Sequence, residues 1–232
     1  MNIALIVAAG TGSRMAGADK PKQFLSVNNK PLMVYTIEAF EMHKDINQIV
    51  VVTSDGYVEQ VKDWCKQYGL NKVKAVVLGG DTRQGSVFSG LQAIKEIGVK
   101  DDDIVLIHDA ARPLVSKEII SKNIEACIEF DAVDTVIKAN DTIVSSKSGE
   151  TINDIPNRSE LYQSQTPQTF KFALIYEAHK NAKAGKIPNV TDDAKLVISM
   201  GKDVHLVEGS KQNFKVTTPD DLVMLEALLK II

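Results

Sequence analysis

Short apolar runs alternate along the chain with longer stretches whose apolar residues recur every three or four positions. Ile3-Ala4-Leu5-Ile6-Val7, Ile49-Val50-Val51-Val52, Val73 to Leu78 and Asp103 to Ile107 are too short for helices and suit buried parallel strands. Between them, a helix opening at Pro31 puts Leu32, Tyr35, Ala39 and Phe40 on one face. Tyr57 to Tyr68 reads as a second helix, with Val58, Val61, Trp64 and Cys65 on one side and Trp64 as packing. A third helix is expected to begin near Ser86. A fourth is capped by Ser116 and runs to about Phe130, with Ile119, Ile120, Ile124 and Cys127 inward. Strands alternating with helices of this length predict right-handed βαβ units and a mainly parallel sheet.

The pattern changes after Asp134-Thr135-Val136-Ile137, the next strand. Asn140 to Val144 and Thr151 to Ile155 are β-rich runs around the polar turn Ser145-Ser146-Lys147-Ser148-Gly149-Glu150. They predict a hairpin arm at about 138–165. Such an arm cannot bury itself alone, so a homodimer is expected. Thr166-Pro167-Gln168 reads as turn chemistry before a helix from Lys171 to about Lys183, which Gly185 is placed to end. Thr191 is the expected cap of a following helix, with Asp192 and Asp193 at its positive end. Val204 to Val207 is a strand, Lys215 falls in an edge strand, and Thr218-Pro219 starts the last helix. No repeat, low-complexity tract or linker interrupts residues 1–232, which read as one domain.

Polar residues cluster at the carboxyl ends of the strands, where open α/β sheets bind ligands. The first strand leads into Ala8-Ala9-Gly10-Thr11-Gly12-Ser13-Arg14-Met15, followed by Lys20-Pro21-Lys22-Gln23-Phe24. Small residues let backbone amides approach a phosphate, and Arg14, Lys20 and Lys22 add positive charge. The stretch is neither a dinucleotide fingerprint, whose third glycine is replaced by Met15, nor a P-loop, since Ser13-Arg14 follows Gly12. It reads as a cradle for a polyanionic nucleotide, or as a strand-to-helix turn with solvated basic residues. Gly79-Gly80-Asp81-Thr82-Arg83-Gln84-Gly85-Ser86 lets main chain approach a base or ribose, with Asp81 and Ser86 offering hydrogen bonds, or is a turn with an N-cap. In His108-Asp109-Ala110-Ala111-Arg112-Pro113, Asp109 can hold a ribose hydroxyl or place a divalent metal and Arg112 can reach a phosphate, or the two form a structural ion pair. His108 is expected to pack at the strand end, because nothing downstream supplies an Asp partner and a nucleophile.

Composition narrows the field. The chain has 232 residues, 44% hydrophobic and 25% charged, which is enough for a sizeable core. Its net charge of −3 argues against a nucleic-acid binder. There is no charged region ahead of the first apolar run and no run of membrane-spanning length, so a cytoplasmic protein without a membrane partner is expected. Cys65 and Cys127 lie far apart inside helical patterns and suit neither a metal spacing nor a disulfide framework.

Ala-Ala-Gly-x-Gly-Ser-Arg-Met, Pro-Lys-Gln-Phe, Gly-Gly-Asp-Thr-Arg-Gln-Gly-Ser-Val, His-Asp-Ala-Ala-Arg-Pro, Gln-Thr-Pro-Gln and Phe-Lys-Val-Thr-Thr-Pro together span nearly the whole chain. This set resembles the CTP-dependent cytidylyltransferases of polyol phosphates, acting on 2-C-methyl-D-erythritol 4-phosphate or ribitol 5-phosphate. The resemblance implies a Rossmann-like nucleotidyltransferase fold, CTP as substrate and Mg²⁺ or another divalent cation. It implies that Ala8, Ala9, Gly10, Gly12, Gly80, Asp81, Ser86, Asp109 and Ala110 bind the nucleotide. Arg14 and Lys22 would take the triphosphate, Lys215 the α-phosphate, and Asp109 the metal. Arg112, Thr142, Arg158, Thr166 and Thr191 would bind the acceptor, with Thr142 and Arg158 reaching across the dimer.

The first half looks more like the methylerythritol phosphate enzymes. The second half, from Ala132-Val133-Asp134-Thr135-Val136 through Tyr162-Gln163-Ser164-Gln165, looks more like the ribitol phosphate enzymes. Because that half builds the acceptor pocket, ribitol 5-phosphate is the favoured acceptor and the methylerythritol phosphate the alternative. Thr191-Asp192-Asp193-Ala194 leans toward the latter. A nucleotide-sugar glycosyltransferase is a more remote reading: Asp101-Asp102-Asp103 precedes its strand, at the wrong end of the sheet. A non-catalytic nucleotide sensor would not need Lys22 and Lys215 together.

Overall fold

The computed structural model describes residues 1–10, 21–185 and 192–231. In chain order the regular elements begin with β1 (Asn2–Ala8), the short antiparallel pair β2 (Ser26–Val27) and β3 (Lys30–Pro31), α1 (Leu32–Glu41), β4 (Gln48–Thr53) and α2 (Val58–Gln67). There follow β5 (Val73–Leu78), α3 (Arg83–Glu96), β6 (Ile104–Asp109), α4 (Lys117–Phe130) and β7 (Ala132–Lys138). The chain continues with β8 (Tyr162–Lys171), α5 (Phe172–Lys183), α6 (Asp193–Ser199), β9 (His205–Glu208) and α7 (Pro219–Leu228). Among the described residues seven strands form one sheet in the order β5-β4-β1-β6-β8-β7-β9. Only β8 runs against its neighbours.

The alternation along β1 explains the layering. Ala4, Ile6 and Ala8 point to one face, where Met33, Ile37 and Phe40 of α1, Val61 of α2 and Ile120 and Ile124 of α4 pack on them. Ile3 and Leu5 point to the other, against Val87, Leu91 and Ile94 of α3 and Phe172 and Ile175 of α5. With helices on both faces, β1, β4 and β6 must be apolar on both, hence their unbroken apolar runs. Phe24 is buried and stacks on Tyr57 at 3.9 Å, with Trp64 tilted against it at 6.1 Å. Trp64 is therefore packing, and it anchors the chain where Lys22 sits. No helix among the described residues is long and apolar enough to cross a membrane.

Several expected boundaries move. α3 begins at Arg83, capped by Thr82, whose hydroxyl accepts from Gly85 N–H at 2.9 Å. Ser86 lies inside the helix and its Oγ donates back to the Gly80 and Thr82 carbonyls. The cap of α6 is Asp192, which accepts from the amides of Ala194 and Lys195. Thr191 lies outside the described residues. Lys215 stands in an irregular segment and not in a strand.

The largest correction concerns Thr166-Pro167-Gln168. It is the middle of β8, and not a turn. The register of β7 against β8 shifts between Asp134 and Val136, so residues 165–167 face Thr135. That irregularity is where a sheet tolerates a proline, which has no N–H for the ladder. The projecting segment between β7 and β8 is an irregular arm, with one antiparallel bridge between Ser145 and Asp154 where two regular strands were expected.

Asp134 on β7 is buried and accepts from Ser164 Oγ and Gln168 Nε2 at 3.1 and 3.0 Å. Burial pushes its carboxyl up to about 6, aided by Asp192 and opposed by those two donors and Arg112. Between the ordinary carboxylate range and pH 6 the folded state therefore holds more protons than the unfolded chain. Stability falls as pH rises through this window, and the full cost is present above it. Asp134→Asn keeps the accepting oxygen and removes the charge. It should stabilise the fold by about 1–3 kcal/mol at pH 7.5, an advantage that disappears below about pH 4. Denaturant midpoints of the two proteins at both pH values check this.

Candidate active site

The carboxyl ends of β1, β5 and β6 surround a cleft of about 340 Å³, within the size range of small-molecule pockets. Ala8, Ala9 and Gly10 at the end of β1, Gly80, Asp81 and Ser86 after β5, and Asp109 and Ala110 at the end of β6 line it. Lys22 and Lys215 also line it. Gly12 and Arg14 lie outside the described residues. Two loops meet closely here: a Cβ on Gly79 would collide with the side chains of Ala9 and Ser86. Around Gly10 the opposite holds, for a Cβ there would meet no described heavy atom within 4 Å.

Gln23 was not given a role from sequence, yet it organises this loop. It is buried, and its Nε2 donates to the carbonyls of Ala8 and Gly10, each at 2.7 Å. The side chain thus ties the Lys22–Phe24 turn to the end of β1. Gln23→Leu leaves both carbonyls without this partner. It should cost about 1–3 kcal/mol of stability and raise the KM for the nucleotide. Unfolding midpoints and saturation kinetics measure the two effects.

The floor of the cleft is Asp109. Its Oδ2 lies 2.8 Å from Lys215 Nζ and 3.8 Å from Arg112 Nε. Burial opposes ionisation, but Lys215, Arg83 and Arg112 together hold the carboxyl well below its usual range. Asp109 is thus a carboxylate at neutral pH, fit to hold a hydroxyl or a cation. Lys215 is itself held in place by its neighbours. Val216 N–H donates to Ala111 carbonyl at 2.8 Å, and Lys22 Nζ donates to Val216 carbonyl at 2.7 Å.

His108, next to Asp109, is fully buried. Its Nε2 donates to Arg112 carbonyl at 3.1 Å and its Nδ1 accepts from Thr166 Oγ1 at 3.0 Å. Burial pulls the ring down to about 4. It is a neutral packing residue, as expected, and no base. Thr166, expected to contact the acceptor, lines neither this cleft nor the hollow beside it. Its hydroxyl donates to His108 and accepts from Asp109 N–H at 3.1 Å, so it sets the backbone of Asp109 from behind.

A second, cationic hollow adjoins the cleft. Arg112, Lys138, Lys211 and Lys215 line it, with Asp141 as its one carboxylate among the described lining residues. Arg112 donates from Nη1 to Asn213 carbonyl at 2.7 Å, while its buried Nε has no hydrogen-bond partner among the described residues. Asn213 was not singled out from sequence. It is buried and donates to Thr166 carbonyl at 2.8 Å, so it joins the Lys215 segment to β8. Thr142 and Arg158 line neither hollow; both are exposed on the arm.

Among the described residues no three His, Cys, Asp or Glu side chains group to hold a metal. Asp101 and Asp102, the acidic residues a glycosyltransferase reading would call on, border a different hollow at the opposite end of β6. Among the described residues the cleft offers backbone amides, Lys22, Lys215, Arg83 and the carboxylates Asp81 and Asp109, with Arg112 in the adjoining hollow and no histidine or cysteine in its lining. Such a set can position polyanions and stabilise charge that develops on phosphoryl oxygens.

Comparison with known proteins agrees with this chemistry. The family model described as IspD: 2-C-methyl-D-erythritol 4-phosphate cytidylyltransferase matches residues 2–231. The structure is similar to 4-diphosphocytidyl-2C-methyl-D-erythritol synthase from Anaerococcus prevotii, with TM-score 0.83 and 30% identity over 99% of this chain and 96% of that one. It is also similar to 2-C-methyl-D-erythritol 4-phosphate cytidylyltransferase from Thermus thermophilus, with TM-score 0.78 and 33% identity over 99% of this chain and 100% of that one. The Francisella tularensis cytidylyltransferase matches at TM-score 0.81 and 28% identity, covering 97% and 98% of the two chains. The chain therefore belongs to the 2-C-methyl-D-erythritol 4-phosphate cytidylyltransferase (IspD) family, a family of nucleotidyltransferases.

Proposed function

We propose that this enzyme joins CMP from CTP to 2-C-methyl-D-erythritol 4-phosphate. An acceptor phosphate oxygen forms a bond to the α-phosphorus of CTP, the bond from that phosphorus to the β-phosphate bridging oxygen breaks, and pyrophosphate leaves with the electron pair. The acceptor phosphate is already anionic at neutral pH and needs no general base, which fits a site without one. The observation that carries this reading is the place of Lys215. Alone among the described residues, it borders both the nucleotide cleft and the cationic hollow. An ammonium there sits where an α-phosphate and an acceptor phosphate would meet.

The roles rest on the lining of the two hollows and, for Arg14, on the sequence resemblance. Gly10, Gly80, Asp81 and Ser86 take the nucleoside, Lys22 with Arg14 the triphosphate, Lys215 the α-phosphate, and Arg112 with its cationic neighbours the acceptor phosphate. A divalent cation fits Asp109 plus substrate phosphate oxygens, because Mg²⁺ commonly uses one or two carboxylates and keeps several waters. Bound there, it would neutralise charge on the triphosphate. Of the two acceptors open from sequence, the family match and the names of the similar structures favour the methylerythritol phosphate, against the leaning taken from the second half of the chain.

The arm supports a homodimer. Ile143, Val144, Ile152 and Ile155 are exposed on it, and an arm with so little pairing of its own is not independently stable. Thr142 and Arg158 would then reach the partner's acceptor site. Phosphorus NMR of CTP and the methylerythritol phosphate with Mg²⁺ tests the reaction. A diphosphate-bridged product should appear with equal pyrophosphate. Loss of CTP at the same rate without acceptor would overturn the proposal.

A further inference from the structure

Behind the nucleotide wall of the cleft lies a buried charge pair that the phosphoryl chemistry does not use. Arg83, the first residue of α3, lines the cleft, and its Nη2 is 2.7 Å from Oδ2 of Asp193 on α6. Asp193 is 1% exposed. Its other oxygen, Oδ1, accepts from Nε2 of His179 on α5 at 3.1 Å. A carboxylate can only accept, so His179 carries its hydrogen on Nε2. One carboxylate thus serves an arginine at the cleft and a fully buried histidine in the core.

The pair is tied to the floor of the cleft as well. Asp193 N–H donates to Gln168 Oε1 at 3.2 Å. Gln168 lies two residues along β8 from Thr166, whose hydroxyl receives the Asp109 amide. Apolar side chains would pack α3, α5 and α6 together at no desolvation cost. What the ionic arrangement adds is a guanidinium with a fixed place at the cleft. Asp193 holds Arg83 through Nη2 at the edge of the cleft that Gly80, Asp81 and Thr82 also line.

We infer that Asp193, oriented by His179, is a positioning residue that fixes Arg83 in the nucleotide wall and so sets affinity for CTP without acting in the chemical step. This rests on the cytidylyltransferase reading above. The test measures the Kd of CTP without acceptor, and KM and kcat with it, for wild type, Asp193→Asn, His179→Gln and His179→Leu. Asp193→Asn should weaken CTP about tenfold or more, with kcat within about threefold and KM for the acceptor unchanged. His179→Leu should move CTP affinity the same way by a smaller factor. His179→Gln, which can restore the N–H donor, should recover most of it. If Asp193→Asn fails to fold, the two His179 variants decide the matter alone. A merely structural pair would lower the melting temperature and leave the Kd of CTP unchanged, which overturns the inference, as would loss of kcat with unchanged CTP affinity. Wild type that does not bind CTP at all would instead overturn the cytidylyltransferase reading.

Discussion

Replacing Lys215 by alanine is expected to lower kcat about 10²-fold or more, with a smaller change in KM for CTP. The size follows from removing one preorganised charge aimed at a developing oxyanion in a partly dry site. Lys215 has the right setting for that role. Its ammonium is 2.8 Å from Asp109, and its backbone neighbour Val216 is fastened to both Ala111 and Lys22. Little reorganisation is then needed when charge builds on the α-phosphate. Lys215→Arg should retain more activity than Lys215→Ala, though not all of it, because a planar guanidinium replaces a point charge. A near-wild-type kcat in Lys215→Ala would remove this residue from the chemistry. Lys22→Ala is expected to show a loss on the same scale.

Asp109→Asn should cost a similar factor in kcat but act on binding in the opposite sense. The carboxylate is ionised at neutral pH and partly neutralises Lys215, Arg83 and Arg112. An asparagine of the same shape leaves those cations uncompensated. Metal-free CTP should therefore bind severalfold more tightly to the variant, since a triphosphate meets more net positive charge. Turnover with Mg²⁺ should nevertheless fall about 10²-fold, because Asp109 is the carboxylate at the floor of the cleft to which the divalent cation is assigned. Calorimetry with CTP alone and steady-state rates with Mg²⁺ separate the two effects. Weaker metal-free binding, or a retained rate, would contradict the role given to Asp109.

The parallel half of the sheet was legible because β1, β4 and β6 are buried on both faces, which forces unbroken apolar runs such as Ile3 to Val7. β8 was not legible, for a physical reason. Gln165, Thr166, Gln168 and Thr169 are all buried, but their partners are Asn213, His108, Asp134 and Asn123. A strand whose interior is polar and hydrogen-bonded shows no hydrophobic period, and its proline mimics a turn. Ser116 and Thr218 cap α4 and α7 as expected, and the other two caps moved for a local reason. Thr82 and Ser86, four positions apart, are both good cap residues, as are the adjacent Thr191 and Asp192, and only the backbone decides between them. Glycines and charged residues at strand ends marked the cleft correctly. Gln23 and Asn213 escaped because they support the site through backbone carbonyls, and Arg83 because its partner Asp193 lies far off in sequence, contacts that leave no pattern there.

The acceptor is the centre of the functional account, and steady-state pyrophosphate release reads it directly. Wild-type enzyme with CTP and Mg²⁺ would be run side by side on 2-C-methyl-D-erythritol 4-phosphate and ribitol 5-phosphate. The account predicts kcat/KM at least about 10²-fold higher for the methylerythritol phosphate, the discrimination a hydrogen-bonding pocket can supply between polyols. A preference for ribitol 5-phosphate would contradict it, and would return the second half of the chain, from β7 through the arm to β8, to the role of fixing a different acceptor.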